Sequence, residues 1–393
     1  MSEVKNIPEG WVETTLGEVL SFDNDRISVS ELNIDNYIST ENLLPDKQGI
    51  TQSSILPNIP KVSKFEMGDV LFSNIRTYFK KVWFSDRIGG CSNDVIIFKP
   101  KDDTQIIKKF LYYFISSDLF IDFTVKSAKG TKMPRGDKNA MLLYNFNLPP
   151  LHEQQSIASI LTSFDDKIEL LQAQNKTLEE MAQTIFTEWF GKYSVDDELP
   201  EGWSVGKIGD LIEIRRGSSP RPIQDYISDS GYKWLKISDA TATDSPYILE
   251  IKEHIIIDGL KNTTLKKAGD LVLSNSATPG MPKILAIDTC VHDGWMHFPS
   301  SKVSNEYLYL LFLSIRPLLV QQGSGSVFTN LKTDILREFD VIIASKEYYL
   351  DFDKLIKPIF KKIYNNALQI QSLKKNRDEL LPRLMTGEIR VKM

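Results

Sequence analysis

The chain has 393 residues, 41% of them hydrophobic and 25% charged, with a formal net charge of −5. That length holds two domains with their own cores, the composition is that of a soluble globular protein, and the mild acidity argues against a surface that binds nucleic acid everywhere. With no basic-then-apolar leader, no uninterrupted apolar run long enough to span a bilayer and only two cysteines, Cys91 and Cys290, the expected location is the cytoplasm, without a membrane partner.

In chain order, Ile7-Pro8-Glu9-Gly10-Trp11 opens a turn that leads into Leu16-Gly17-Glu18-Val19-Leu20, a turn-and-strand pattern. Lys64 to Asn74 carries a Gly68-Asp69 turn entering an alternating apolar strand. Phe110 to Ile115 reads as a buried, aromatic-rich helix, and Leu142 to Pro149 as a strand. Lys126, Lys129, Lys132, Arg135 and Lys138 crowd the Gly130 loop, and Arg76, Lys80 and Lys81 form a second basic group. Each group reads equally as a solvated loop or as a nucleic-acid contact.

Pro149-Pro150 marks the earliest start of a long helix and Gly191 its stop. Between them Ile157, Leu161, Phe164, Ile168, Leu171, Asn175, Leu178, Ala182, Ile185 and Trp189 alternate spacings of four and three. That is a coiled-coil seam with one polar member, Asn175.

The chain then repeats itself. Leu199-Pro200-Glu201-Gly202-Trp203 returns 192 residues after its first copy. Ile208 to Ile212, Lys266 to Asn275, Tyr307 to Phe312 and Ile335 to Ile342 follow in the same order, with unlike loops between them. A repeat of this length is a duplicated domain, not a solenoid unit. Two related halves predict an internal pseudo-twofold, and duplex DNA has local twofold symmetry, so a reader of two half-sites is the leading idea. Arg215, Arg216 and Arg221 crowd one loop of the second copy.

A second seam runs through Phe352, Ile356, Ile359, Ile363, Asn366, Ile370, Leu373, Arg377, Leu380 and Leu384. Pro358 is expected to kink or restart this helix, Pro382 to disturb its end, and Gly387 to stop it. An antiparallel pairing would oppose Ile157 to Leu384, Trp189 to Phe352 and Asn175 to Asn366, letting the two amides satisfy each other. A 33-residue seam is about 50 Å long, against about 34 Å for a turn of DNA.

Catalytic signatures are missing. There is no P-loop, no Asp/Asn-Pro-Pro-Tyr/Phe of amino-methyltransferases, no Gly-x-Ser-x-Gly and no His-Glu-x-x-His. Cys290, His292 and His297 suggest zinc, but Cys91 holds the equivalent place with no histidine near it, which favours core packing. His152 at a helix start reads as a cap or a solvated side chain.

Residues 148–157 (Leu-Pro-Pro-Leu-His-Glu-Gln-Gln-Ser-Ile) and 377–389 (Arg-Asp-Glu-Leu-Leu-Pro-Arg-Leu-Met-Thr-Gly-Glu-Ile) resemble the central-helix entry and the C-terminal helix end of the specificity subunit of type I restriction–modification systems. Arg216-Gly217-Ser218-Ser219-Pro220 and residues 234–239 resemble an opening of that family's target-recognition domains. Residues 344–348 of the second copy depart from the first, which leaves the packing at that junction open. The resemblance implies an α+β fold: two globular α/β target-recognition domains related by pseudo-twofold symmetry and separated by two long antiparallel coiled-coil helices. The corresponding segments are 1–152, 153–192, 193–346 and 347–393. It implies double-stranded DNA and two DNA methyltransferase subunits as partners, with a motor-nuclease subunit where the system has one. S-adenosylmethionine then belongs to the partners, and no cofactor or catalytic centre to this chain. The alternative is a coiled-coil assembly scaffold whose globular domains bind proteins.

The DNA face is expected at Asn74, Arg76, Lys80, Lys129, Lys132 and Arg135 in the first domain. In the second it is expected at Arg215, Arg216, Arg221, Asn275, Thr278, Lys283 and Ser326. Arginine and lysine suit phosphates or guanine, and asparagine suits adenine.

Overall fold

The computed structural model describes residues 7–22, 25–322 and 330–391. The chain forms two compact units, Met1–Lys167 with Leu373–Met393, and Ile168–Ser372. Each unit is an α+β body built on one copy of the repeat.

In the first unit, Val12–Thr15 pairs antiparallel with Asn145–Leu148, joining Val12 to Leu148. In the second, Ser204–Lys207 pairs with Asp340–Ile343, joining Ser204 to Ile343. Both copies therefore tie their first strand to the strand that precedes a long helix. The Pro-Glu-Gly-Trp turns match as well. Gly10 and Gly202 take φ of 80° and 79°, and the amides of Trp11 and Trp203 each donate to the proline carbonyl at 3.0 Å. Glycine at the third position of such a turn avoids the steric cost of positive φ.

The segment after each turn is not the simple turn-and-strand that its sequence suggests. Leu16–Val19 and Ile208–Leu211 are single helical turns. Their third residue explains it: Glu18 accepts from the Thr15 amide at 3.3 Å and Asp210 from the Lys207 amide at 2.8 Å, satisfying donors left open at a helix start.

The Gly-Asp turns enter strands as expected. Gly68 and Gly269 have positive φ, and Asp69 and Asp270 accept from the amides of Glu66 and Lys267 at 2.9 and 3.0 Å. The strands they launch, Val70–Ser73 and Leu271–Ser274, are wholly buried and form hairpins with Val82–Phe84 and Pro282–Leu285. Cys91 pairs with Ile38 in parallel and Ser63 antiparallel. Cys290 pairs with Trp234 in parallel and Leu265 antiparallel. Both thiols are fully buried, which pushes them up to about 12 for Cys91 and about 11 for Cys290.

The long helices are Leu151–Phe190 and Lys346–Met385. The central helix begins two residues before the expected segment boundary, directly after Pro149-Pro150. Gln154 secures this entry: its amide donates to the carbonyls of Gln105 (2.9 Å) and Pro149 (2.8 Å) and accepts from the Ile107 amide (2.9 Å). Beside it Glu153, almost fully buried, receives the Trp11 indole at 2.9 Å and both forks of Arg390 at 2.6 and 2.8 Å. At the other junction Tyr348 stacks edgewise on Trp203, with ring centroids 4.8 Å apart. Aromatic packing there replaces the buried carboxylate.

The C-terminal helix does not restart at Pro358, and Pro382 lies inside it. A proline removes one backbone donor, but Ile356, Phe360 and Ile363 around Pro358 are buried in the core of the second unit, which holds the helix together.

Within each unit the helix pair runs antiparallel. Asp165 meets Arg377 at 2.7 Å, and Ile157 and Leu384 share one core. In the second unit Trp189 packs on Phe352 (centroids 5.7 Å), and Asn366 donates to the Asn175 carbonyl at 2.9 Å. The seam drifts near the end of the central helix, where Ala182, Phe186 and Phe190 are buried and Ile185 and Trp189 only partly so. A straight helix of 3.6 residues per turn slips from a strict heptad in this way. Among the described residues no helix is long and apolar enough to cross a membrane.

Candidate nucleic-acid interface

In the first unit two loops meet at the end of the Val70–Ser73/Val82–Phe84 hairpin. The Arg76 amide donates to the Pro134 carbonyl at 2.8 Å, and the Gly136 amide to the Asn74 carbonyl at 3.1 Å. Lys129 and Arg135 exchange backbone hydrogen bonds of 2.8 and 2.9 Å, closing the Gly130 loop. Arg76, Lys80, Lys129, Lys132 and Arg135 are thus gathered around one hairpin end. Lys80 pairs with Asp118 at 2.7 Å, a hydrogen bond that pushes its ammonium up. Lys129 pairs with Asp137, and Arg135 with Asp94 at 3.1 Å.

The second unit repeats the geometry. Ser73 and Ser274 donate backbone hydrogen bonds of 3.0 Å to Lys81 and Met281 across their hairpins. Arg76 and Ala277 follow, both left-handed, with φ of 50° and 58°; Lys80 and Gly280 are left-handed too. Arg216 donates to the Asp293 carbonyl at 2.8 Å, Asn275 to the same carbonyl at 3.0 Å, and Arg221 pairs with the Asp293 carboxylate at 3.2 Å. Partial burial works to raise that carboxyl, but the Ser219 hydroxyl, His292 and Arg221 outweigh it and hold it below the usual range. Arg215 pairs with Glu213 at 2.7 Å.

Three expected site residues are more enclosed than a direct reader of base edges should be. Asn74 and Asn275 are buried beneath the loops, each with a carbonyl oxygen that has no hydrogen-bond partner. Gly136 lets the loop lie on Asn74, since a Cβ there would stand 2.8 Å from its Oδ1. Lys283 is also buried, and its ammonium donates to the carbonyls of Thr243 and Ser245 at 2.8 and 2.6 Å. Burial pushes it down to about 8, while Glu179 and Asp244 work to raise it. As placed, Lys283 props a loop and offers no free charge to a phosphate; its position in a strand buried along its length is the reason. Thr278 is half-buried, with its hydroxyl unpartnered. Ser326 lies outside the described residues.

Two residues outside the expected set, Asp94 and Asp293, hold the arginines. The sequence carries a signal for them, since each stands three residues after the repeated cysteine. His292 does not turn toward a metal; its Nδ1 accepts from the Gly294 amide at 2.8 Å, and burial pushes its ring down. Among the described residues, no three or more His, Cys, Asp or Glu side chains are grouped to share a metal ion.

The family model described as "Type I restriction modification DNA specificity domain" matches twice, over residues 8–180 and 200–378. The chain is 26% identical over 314 residues to the type I restriction enzyme MjaIX specificity subunit of Methanocaldococcus jannaschii, covering 74% of this chain and 71% of that one. It is 24% identical to the HindI specificity subunit of Haemophilus influenzae over 96% of this chain and 99% of that one. Among solved structures, the crystal structure of a type I restriction–modification S subunit from M. genitalium shares the fold, with a TM-score of 0.57 at 14% identity, over 100% of this chain and 99% of that one.

Proposed function

The chain belongs to the type I restriction–modification DNA specificity family, and we propose that it is the non-catalytic subunit that reads a bipartite duplex target, one half-site per unit. The observation that carries this reading is the repeated hairpin end. Each copy places a buried asparagine, a left-handed residue and aspartate-held basic side chains at the same point of the scaffold, with unlike loops around it. One scaffold with two loop sets suits two different half-sites.

In this reading Arg76, Lys80, Lys129, Lys132 and Arg135 meet the first half-site, and Arg215, Arg216 and Arg221 the second. Asn74, Asn275 and Thr278 set the shape of the reading loops and present their unpartnered oxygens when those loops adjust. The helix pair docks two methyltransferase subunits, which bring S-adenosylmethionine and the chemistry, in the cytoplasm. Mapping methylated bases in the host genome tests it. One motif of two short halves around an unspecified spacer is expected, lost when this chain is deleted. Methylation that persists without the chain would overturn the reading, as would duplex binding by the assembled complex that ignores sequence.

A further inference from the structure

An exposed aromatic pair stands at the first hairpin end. Tyr78 is 48% exposed and Phe79 40%, too much for either to be core. Their ring centroids lie 4.7 Å apart. The backbone holds them out. Thr77 is buried, and the helical turn Thr77–Phe79 is bracketed by Arg76 and Lys80, at φ of 50° and 52°. Left-handed backbone at non-glycine residues is costly and gathers at functional sites. Here it turns two large rings toward solvent instead of into the hydrophobic core below.

Charge says what they face. Segments 74–81 and 126–138 contain eight lysine and arginine residues and one acidic residue, Asp137. Asp94 and Asp118 join from outside these segments as ion-pair partners, so the surface stays net positive. Apolar rings in a basic rim suit a polyanion with an apolar interior, which is a base stack. The second copy has Ala277-Thr278-Pro279-Gly280 at this place and no aromatic residue.

We propose that Tyr78 and Phe79 form a wedge that enters duplex DNA at the first half-site and stacks on the bases of a step it opens. Wedges of this kind unstack and kink the duplex. Pyrimidine–purine steps open most readily, so the first half-site carries one at the wedge, and the second half-site is read without insertion. This rests on the DNA-reading function proposed above.

The test selects from a pool of duplexes with a randomised core, using the chain assembled with its methyltransferase subunits. The wild type enriches a two-part motif. Y78A/F79A keeps the wild-type unfolding temperature, binds the selected duplex about tenfold or more weakly, as expected for lost base stacking, and loses the step preference in one half only. Y78F/F79Y restores both. 2-Aminopurine at the step brightens with the wild type and not with Y78A/F79A. An alanine variant that selects the same motif with the same affinity overturns the wedge and leaves DNA reading intact. A variant that sheds its methyltransferase subunits while binding the motif also overturns it, and makes the pair a protein contact. A wild-type complex that enriches no motif overturns both proposals.

Discussion

The amide of Asn366 donates to the side-chain carbonyl of Asn175 at 2.9 Å, across 191 residues of sequence. The Asn175 amide continues to the Ile363 carbonyl at 3.3 Å. Both residues are buried, at 1% and 8% exposure. Buried amides fix a coiled-coil register because an alignment shifted by one heptad leaves both facing apolar side chains, Leu373 and Ala182 one way, Ile359 and Ile168 the other.

Asn366→Leu is therefore expected to destabilise the protein by about 1–3 kcal/mol, the penalty of a buried polar group left unpaired. The N175L/N366L double variant recovers most of that loss. Denaturant titration of the three variants measures it, and a double variant no better than the singles counts against direct coupling.

Arg76→Ala with Arg135→Ala should weaken duplex binding by the assembled complex and lower the log–log salt slope by about one per lost phosphate contact. Lys283→Met, by contrast, should leave the salt slope unchanged, since that ammonium is spent on the Thr243 and Ser245 carbonyls. Fluorescence anisotropy at several salt concentrations distinguishes the two.

Asp94→Asn and Asp293→Asn should each tighten binding to duplexes that lack the target. Each carboxylate neutralises an arginine of its own unit and repels phosphate. Removing it frees one charge and deletes another, so discrimination between target and non-target duplex falls. Unchanged binding to non-target DNA would show that the two aspartates only brace the loops.

Exchanging residues 193–346 for the matching region of a relative should change one half-site and leave the other as it was. The strand Asp340–Ile343 pairs with Ser204–Lys207 inside that segment, so the exchanged piece carries its own closing ladder. Methylation mapping reads both halves at once, and a folded swap that alters both argues against modular reading.

Stability should depend on pH through Glu179, whose carboxyl burial pushes up to about 7, with Lys283 lowering it and Asp244 raising it. Between pH 4.5 and 7 the folded state holds this proton while the unfolded state has lost it. Folding stability then falls as pH rises through that window. Glu179→Gln should flatten the slope there, which denaturation midpoints at pH 5, 6 and 7 report.

The repeated scaffold was legible because its signals are local and chemical: glycines at positive φ, acids that accept from a nearby amide, apolar runs in buried strands. Asn175 and Asn366 were legible as the only amides in two apolar seams. Lys283 was not, because a lysine reads as solvated unless its strand is known to be buried on both faces. A strict heptad puts Ile185 and Trp189 in the seam, but the helix turns past them and buries Phe186 and Phe190. Asp94 and Asp293 do not stand out in the sequence, because isolated aspartates are common. Their role depends on arginines brought in from other segments.

The chain carries a ready-made pair of clocks. It has two cysteines, one in each unit, at matching places in matching sheets and with no exposed surface. A thiol that is buried and hard to ionise does not meet an alkylating reagent until its sheet opens. The rate at which each is modified therefore times the opening of its own half, with no label engineered in. Run with and without DNA, the two rates would tell which half the duplex grips.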